Sequence, residues 1–186
     1  MPTPVGTRMI AQVEPKRMDL ETGGLPAIEG MVQVFTAAQR SFFTAVIAQA
    51  IQTAAQGRPT LLVQFLKGGI GMGPDQPIQL CQNLRWIRCG LPNCVGTPSI
   101  TAAEQAQISA LWHYTQTQIQ SDQFSLVILD ELSLALHLGF IPEAECLAML
   151  EARPRRLDLV LTGPHMPEAI LNLADQITEL RRSVFA

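Results

Sequence analysis

The sequence predicts an α/β protein with a mainly parallel β-sheet that is covered by helices on both faces. Strand candidates alternate with helix candidates from residue 31 onward, which is the pattern of β-α-β units. The strand candidates are nearly continuous apolar runs, such as Leu61–Val63 and Leu126–Leu129, as expected for strands buried on both faces. Glycine, proline or acidic residues follow most of these runs, where loops are expected.

Length and charge exclude several classes of protein. The 186 residues are 47% hydrophobic and 16% charged, which predicts a soluble chain with one sizeable core. The net charge is −3 and no basic stripe is present, so we expect no nucleic-acid partner. The most apolar run, 126–138, contains two acidic residues and is too short to span a membrane. Four cysteines without framework spacing, and no signal peptide, predict a cytoplasmic protein with reduced thiols.

Two regions are expected along the chain. Residues 1–29 form an N-terminal arm with weak periodicity, and residues 30–186 form the α/β domain. Four prolines bar a long helix in the arm, at Pro2, Pro4, Pro15 and Pro26. The arm either lies along the surface of its own domain or docks on another subunit or partner.

Each strand and helix has its own signal. Apolar runs predict strands at 31–36, 60–66, 84–88, 126–129, 157–161 and 176–180. Helices are predicted at 42–56, 102–120, 142–152 and 167–174. The first helix is stopped by Gly57, and the third carries Pro142 in its first turn. Thr101 and Glu104 have the spacing of a capping box for the long helix.

A ligand site is expected at the carboxyl edge of this sheet. In open α/β sheets, ligands bind beyond the carboxyl ends of the strands. The segments predicted to be loops at that edge are 36–42, 67–77, 89–100, 130–138 and 162–166.

Four segments in register carry a family resemblance. They are 63–68 (VQFLKG), 127–132 (VILDEL), 161–163 (LTG) and 170–175 (ILNLAD), the last followed by Glu-Leu-Arg at 179–181. Their order and spacing resemble the corrinoid adenosyltransferases over roughly residues 31–181. These P-loop enzymes transfer the adenosyl group of ATP to the cobalt of a reduced corrinoid. The resemblance implies a P-loop NTPase-like three-layer fold, with Mg-ATP and a corrinoid as ligands.

The phosphate-binding loop departs from that family. The resemblance implies Thr-Gly-x-Gly-x-Gly-Lys-Thr, whereas residues 36–43 read Thr-Ala-Ala-Gln-Arg-Ser-Phe-Phe. Glycines let backbone N–H groups curl around phosphate oxygens, the lysine supplies positive charge, and the hydroxyl binds Mg²⁺. Phe42 stands in the lysine position and Phe43 in the hydroxyl position, so we predict weak or absent triphosphate binding.

Other family features are also changed. The family carries an aromatic Gly-Phe-Thr-Trp run that faces the corrinoid, but segment 89–97 has no aromatic residue. Pro164 follows Gly163 where the resemblance implies arginine, and the sequence ends at Ala186, before the family's closing tail.

Six residues remain as candidates for ligand binding, and none is predicted to be catalytic. Thr36, Arg40, Ser41, Lys67 and Glu131 are candidates for binding a nucleotide cofactor. Asp130 and Glu131 are candidates for Mg²⁺, because acidic residues at the end of a strand match a Walker B pair. The alternatives are that the acidic pair caps a helix or makes structural hydrogen bonds, and that Lys67 is a solvated loop lysine.

Three functions are therefore open. The chain is a degenerate family member that acts as a binding, regulatory or assembly protein. Alternatively, it is an active ATP:cob(I)alamin adenosyltransferase with a phosphate site rebuilt from Arg40, Lys67 and Glu131. Third, it is a structural subunit, with the arm and the Phe42–Phe43 pair as candidate contact surfaces for a homodimer or another protein.

Overall fold

The computed structural model describes residues 29–181, without the side chains of positions 80 and 81, and it has one seven-stranded sheet. The strands are β1 (Val32–Ala37), β2 (Thr60–Gln64), β3 (Ile78–Cys81), β4 (Leu84–Arg88), β5 (Leu126–Asp130), β6 (Asp158–Pro164) and β7 (Gln176–Leu180). The helices are α1 (Thr44–Ala55), α2 (Ala102–Gln120), α3 (Leu132–His137), α4 (Glu143–Glu151) and α5 (Glu168–Leu171).

The sheet is mainly parallel, as the sequence predicts. Its strand order is β3-β4-β2-β5-β6-β1-β7, and only the β3–β4 pair is antiparallel. Register pairs Gln64 with Asp130 across β2 and β5, and Thr36 with Gly163 across β1 and β6. The ends of the central strands therefore meet at one edge, where the loops were expected to form a site.

Helices cover both faces of the central strands. Val46, Ala50 and Ala54 of α1 pack with Leu62 and other strand residues in the smaller apolar cluster. The opposite face holds the larger cluster, to which α2, α3 and α4 contribute. Leu61 and Val63 belong to this second cluster, so side chains alternate between faces along β2. This alternation explains why β2 is apolar almost throughout.

Two elements were not predicted. Segment 130–138 was expected to be a loop, but Leu132–His137 forms α3. Its six residues are too few for helical periodicity to be distinguished from a buried apolar run. Strand β3 was missed because it is a four-residue edge strand. Helix α1 begins at Thr44, two residues later than predicted, because Phe43 occupies the N-cap position.

The long helix begins as predicted. The Thr101 hydroxyl accepts a hydrogen bond from the Glu104 N–H at 3.2 Å, and the Glu104 carboxylate accepts from the Thr101 N–H at 2.8 Å. The predicted arm falls outside the described residues, apart from Glu29. Between residues 29 and 181, no helix combines the length and hydrophobicity that crossing a membrane requires.

Candidate functional site

Asp130, at the end of β5, is the centre of a buried polar cluster. Its carboxylate accepts hydrogen bonds from the Gln64 amide at 2.7 Å and from the Thr162 hydroxyl at 2.7 Å. It also forms an ion pair with Lys67 Nζ at 2.5 Å. Because the Asp130 side chain is only 5% exposed, these three partners replace the water that a free carboxylate needs.

Glu131 follows in a left-handed backbone conformation, with φ of 63°. This conformation costs a residue with a Cβ about 1–2 kcal/mol, so surrounding contacts must hold it. The Glu131 N–H donates to the Thr162 hydroxyl at 3.0 Å, and Arg40 binds both carboxylate oxygens. The backbone turn therefore aims the Glu131 carboxylate across the strand ends, toward the segment that follows β1.

Arg40 reaches from that segment across the carboxyl edge. Its Nε and Nη2 donate to Glu131 at 2.6 and 2.7 Å, which is a bidentate pair. Nη1 donates to the Val95 carbonyl at 2.8 Å. The hydrogen bonds to Glu131 are the main cause that raises the pKa of Arg40 above its usual value. The hydrogen bonds of Arg40 therefore connect the segments that follow β1, β4 and β5.

Lys67 lies between an acid and an aromatic ring. Its ammonium group pairs with Asp130 and also stands 4.7 Å from the centre of the Phe42 ring, a cation–π distance. The side chain is 16% exposed, so Lys67 is not a solvated loop lysine. Phe42 therefore covers a cation that the family resemblance places near the nucleotide.

Gln64, Thr162 and Arg88 belong to the cluster but were not predicted. The Gln64 carbonyl oxygen accepts from Trp86 Nε1 at 2.9 Å and from Arg88 Nε at 2.6 Å, while its amide donates to Asp130. A glutamine inside an apolar strand must find buried partners, and that signal was available in the sequence. Thr162 lies in segment 162–166, which was predicted to be a loop; that prediction is wrong for 162–164, because β6 continues to Pro164 and buries Thr162.

Segment 36–43, where the resemblance implies a P-loop, does not have the backbone conformation of a phosphate-binding nest. Such a nest alternates right-handed and left-handed residues, and all of residues 36–43 are described without a positive φ. The Thr36 hydroxyl donates to the Gly163 carbonyl at 2.9 Å, and the Ser41 hydroxyl donates to the Gln39 carbonyl at 3.1 Å. Both hydroxyls therefore donate to backbone carbonyls, that of Thr36 on the neighbouring strand β6 and that of Ser41 within its own segment.

The two phenylalanines have different environments. Phe43 is 8% exposed and packs edge-on against Phe35, with ring centres 6.3 Å apart, so it belongs to the smaller core cluster. Phe42 is 60% exposed. The prediction of a joint Phe42–Phe43 contact surface is therefore wrong for Phe43, because the start of α1 draws that ring inward.

The loop that the resemblance assigns to the corrinoid packs onto the loop after β2. The Gly69 N–H donates to the Leu91 carbonyl and the Val95 N–H donates to the Leu66 carbonyl, both at 2.9 Å. A Cβ at Gly68 would lie 2.4 Å from the Leu91 carbonyl oxygen, so this approach requires glycine.

A cavity of about 570 Å³ remains at the carboxyl edge, between segments 37–41 and 179–181. A smaller one of about 270 Å³ lies between Arg40, Phe42, Lys67 and Arg88. The larger cavity could admit a small molecule, whereas the smaller one borders the ion pairs themselves.

Mg²⁺ does not fit the cluster as it is arranged. Its preferred ligands would be the carboxylates of Asp130 and Glu131, but those oxygens are engaged by Lys67, Arg40 and neighbouring donors. Among the side chains that the structure describes between residues 29 and 181, no cluster of three or more acids, histidines or cysteines is arranged to hold a metal ion. Arg40 and Lys67 of the same chain form ion pairs with these two acidic residues.

Comparison with known families places the chain. The model of the ATP:corrinoid adenosyltransferase family BtuR/CobO/CobP matches residues 28–184. This match spans the whole described sheet and the cluster at its carboxyl edge.

Individual relatives are distant. An uncharacterized protein of Nostoc sp. is 26% identical over 92% of this chain and 46% of its own length, so the chain spans about half of that relative. A corrinoid adenosyltransferase of Sinorhizobium sp. is 28% identical over 82% of this chain and 72% of the relative. The corrinoid adenosyltransferase CobA of Salmonella typhimurium is 24% identical over 89% and 83%. The chain is a divergent member of the ATP:corrinoid adenosyltransferase family.

Proposed function

We propose that this chain is a non-catalytic member of its family, which acts through binding to a protein partner and does not transfer adenosyl groups efficiently. The observation that carries the proposal is the pairing of both acidic residues with cations of the same chain. Arg40 holds Glu131 in a bidentate contact, and Lys67 holds Asp130. The family resemblance implies that these residues would bind Mg-ATP, but here they are paired with one another.

The electrostatics of the reaction support this proposal. Attack of reduced cobalt on the 5′ carbon of ATP expels triphosphate, whose growing negative charge requires oriented donors and cations. One missing donor in such a site typically costs about 2.7–4 kcal/mol of transition-state stabilisation. Here the lysine and metal-binding hydroxyl positions hold Phe42 and Phe43, and Arg40 would have to leave a buried partner to bind phosphate.

The partner would contact Phe42, which presents an exposed ring above Lys67. The arm predicted at residues 1–29 is a second candidate for this contact. Either can serve a homodimer or a different protein. We place the protein in the cytoplasm, because Cys89, Cys94 and Cys146 are free thiols of a kind that reducing compartments maintain.

The proposal is tested by an adenosylation assay. Purified full-length protein is incubated with Mg-ATP and chemically reduced cobalamin, and the adenosylated product is followed by its absorbance. The CobA relative of Salmonella typhimurium serves as the positive control. We expect no product above the protein-free background, whereas turnover comparable to the control would overturn the proposal.

One observation favours an active enzyme as the second candidate. The larger cavity beside Arg40 and Ser41 could admit part of a nucleotide, with Arg40 and Lys67 as rebuilt phosphate ligands. This alternative predicts that wild-type protein binds Mg-ATP and that Arg40→Ala abolishes the binding. Under our proposal neither protein binds Mg-ATP, so the pair of measurements separates the two functions.

A further inference from the structure

We propose that the Arg88 guanidinium binds the carboxylate of a ligand in the smaller cavity at the carboxyl edge, which Arg40, Phe42 and Lys67 also line. The site would recognise a carboxylate and not a triphosphate. This proposal does not depend on the proposed loss of catalysis, because Arg88 has no part in that argument.

Arg88, at the end of β4, has no acidic partner. Its Nε donates to the Gln64 side chain at 2.6 Å, but Arg88 forms no ion pair with any acid that the structure describes. Within the described part of the chain its Nη1 and Nη2 groups have no hydrogen-bond partner, and neither is sealed from solvent. The end of the guanidinium therefore offers two nitrogens of the kind that bind a carboxylate bidentately.

The guanidinium is held in place before any ligand binds. Its Cζ lies 5.5 Å from the centre of the Trp86 ring, a cation–π distance. Trp86 Nε1 and Arg88 Nε donate to the same Gln64 oxygen, and the Gln64 amide donates to Asp130. A cation that is fixed by its neighbours loses little side-chain entropy when a ligand binds, which favours affinity.

The charges around the cavity leave one positive charge unbalanced. Three cations line it, namely Arg40, Lys67 and Arg88. Two acids accompany them, because Glu131 lines the cavity and Asp130 pairs with Lys67. A single carboxylate would balance the remaining charge. A triphosphate would instead bring several negative charges to cations of which two are already paired.

The size and the apolar part of the cavity fit a small acid. Its volume of about 270 Å³ is below the roughly 300–1,000 Å³ of sites that hold drug-sized ligands. The Phe42 ring is 60% exposed, so an apolar group attached to the carboxylate would have a surface to contact. Two sources can supply such a carboxylate: a free small acid, or an acidic side chain of the protein partner proposed above.

Cys94 can report binding at this site. It is an exposed free cysteine and lines the same cavity as Arg88. The backbone beside it is held, because the Val95 N–H donates to the Leu66 carbonyl and the Val95 carbonyl accepts from Arg40. A reagent that binds Arg88 through a carboxylate would therefore be held near this thiol.

The experiment compares alkylation of Cys94 in the full chain by iodoacetate and by iodoacetamide. In both reactions the thiolate sulfur bonds to the CH₂ carbon and iodide leaves, but only iodoacetate carries a carboxylate. Rates are followed by peptide mass mapping at constant ionic strength, because salt screens non-specific attraction. The iodoacetate rate is expected to saturate, with half-saturation in about the millimolar range, whereas the iodoacetamide rate should rise linearly.

Substitution of Arg88 should remove this behaviour. Arg88→Gln should abolish the saturation and lower the iodoacetate rate by about tenfold relative to the iodoacetamide rate. The matched control is Arg85→Gln, which removes the same charge from the same strand. Arg85 donates to Tyr114 and Gln118 of α2 and does not line this cavity, so its substitution should leave the ratio unchanged.

Protection experiments identify the ligand without any substitution. Acetate should slow the reaction of wild-type Cys94 with iodoacetate, whereas chloride at equal ionic strength should not. A blocked dipeptide of leucine and aspartate that protects at lower concentration than acetate would identify a partner side chain as the source. Stronger protection by acetate would identify a free small acid.

Several results would overturn the proposal. They are an iodoacetate rate that does not saturate with wild-type protein, saturation that persists in Arg88→Gln, and protection by acetate that is no better than by chloride. Protection by inorganic phosphate without protection by acetate would also overturn it, since the site would then recognise a different anion. The adenosylation assay reports separately on the proposed function, and neither result predicts the other.

Discussion

The end of β5 and the outer edge of β7 carry similar charged residues in opposite environments. At the end of β5, Asp130 and Glu131 are almost fully buried, and each has a cation of the chain against it. At the end of β7, Glu179 and the following Arg181 also form an ion pair at 2.6 Å, but their side chains are 44% and 82% exposed. The first region is closed by its own side chains, and the second remains open to solvent.

The difference shows that the distance between two charges does not by itself determine how strongly they interact. Both ion pairs are 2.6 Å long, yet water screens the pair on β7 and is largely excluded from Glu131. A buried carboxylate depends on its partner, whereas an exposed one can change partner at little cost. Substitutions should therefore separate the two regions by the size of their effects.

The largest effect is expected from Asp130→Ala. Removal of this carboxylate leaves the Lys67 ammonium and the Gln64 amide without their buried acceptor, which typically costs about 3–5 kcal/mol. The free energy of unfolding would be measured by urea denaturation. Asp75→Ala, at an exposed position, should change it by less than about 0.5 kcal/mol. Equal small effects at both positions would contradict the description of a buried cluster.

A double-mutant cycle compares the two ion pairs directly. Arg40→Ala and Glu131→Gln, alone and together, should show a coupling energy of about 1–2 kcal/mol, reduced because the Arg40 side chain is 35% exposed. The corresponding cycle on Arg181 and Glu179, at the lowest usable protein concentration, should show no measurable coupling. If the coupling energy of the Arg181–Glu179 pair equalled that of the Arg40–Glu131 pair, burial would not explain the difference between the two regions.

Two threonines give a finer comparison. Thr162→Val removes the hydroxyl that donates to Asp130 and accepts from the Glu131 N–H, and should cost about 1–3 kcal/mol in urea denaturation. Thr178→Val on exposed β7 should stay within about 0.5 kcal/mol of wild type. A loss at position 178 that equals the loss at 162 would contradict this prediction.

The smallest effect concerns thiol chemistry. Burial raises the pKa of Cys89 to about 11 and that of Cys146 to about 12, whereas Cys94 is exposed. Since the thiolate is the reactive form, a thiol reagent at neutral pH should modify Cys94 well before Cys89 and Cys146, as followed by peptide mass mapping.

The same two pKa values have a consequence for stability. The folded state keeps Cys89 and Cys146 protonated. Their contribution to the free energy of unfolding is therefore complete below the ordinary thiol pKa of 9.0. It should be lost as the pH rises from there toward 11–12. A free energy of unfolding that increased over this range would have the wrong sign.

The sequence predicts the sheet well because burial on both faces leaves a simple apolar signature. All six predicted strands exist, and the Thr101–Glu104 spacing locates the start of α2. Helix α3 was missed because its six residues, four of them apolar, have too little periodicity to identify a helix. The candidate residues Arg40, Lys67, Asp130 and Glu131 do meet, but the pairing of Arg40 with Glu131 depends on the backbone turn at Glu131, which no local pattern specifies.

Gln64 illustrates what sequence reasoning could have recovered, because a polar residue within a predicted apolar strand requires a buried partner. Thr162 could not be recovered in this way, because its segment was predicted to be a loop and β6 extends past it to Pro164. Their partner could be identified only from the register of β2, β5 and β6, which brings both beside Asp130. Phe43 shows the opposite case, since its burial follows from the path of α1 and not from its neighbours in sequence.

The most direct test of the closed site is isothermal titration calorimetry of Mg-ATP with wild-type protein and with Arg40→Ala. Because Arg40 and Lys67 are held by buried carboxylates, we predict no binding to wild type tighter than about 1 mM. Micromolar binding to wild type that disappears in Arg40→Ala would contradict the account, since Arg40 would then serve the nucleotide and not Glu131.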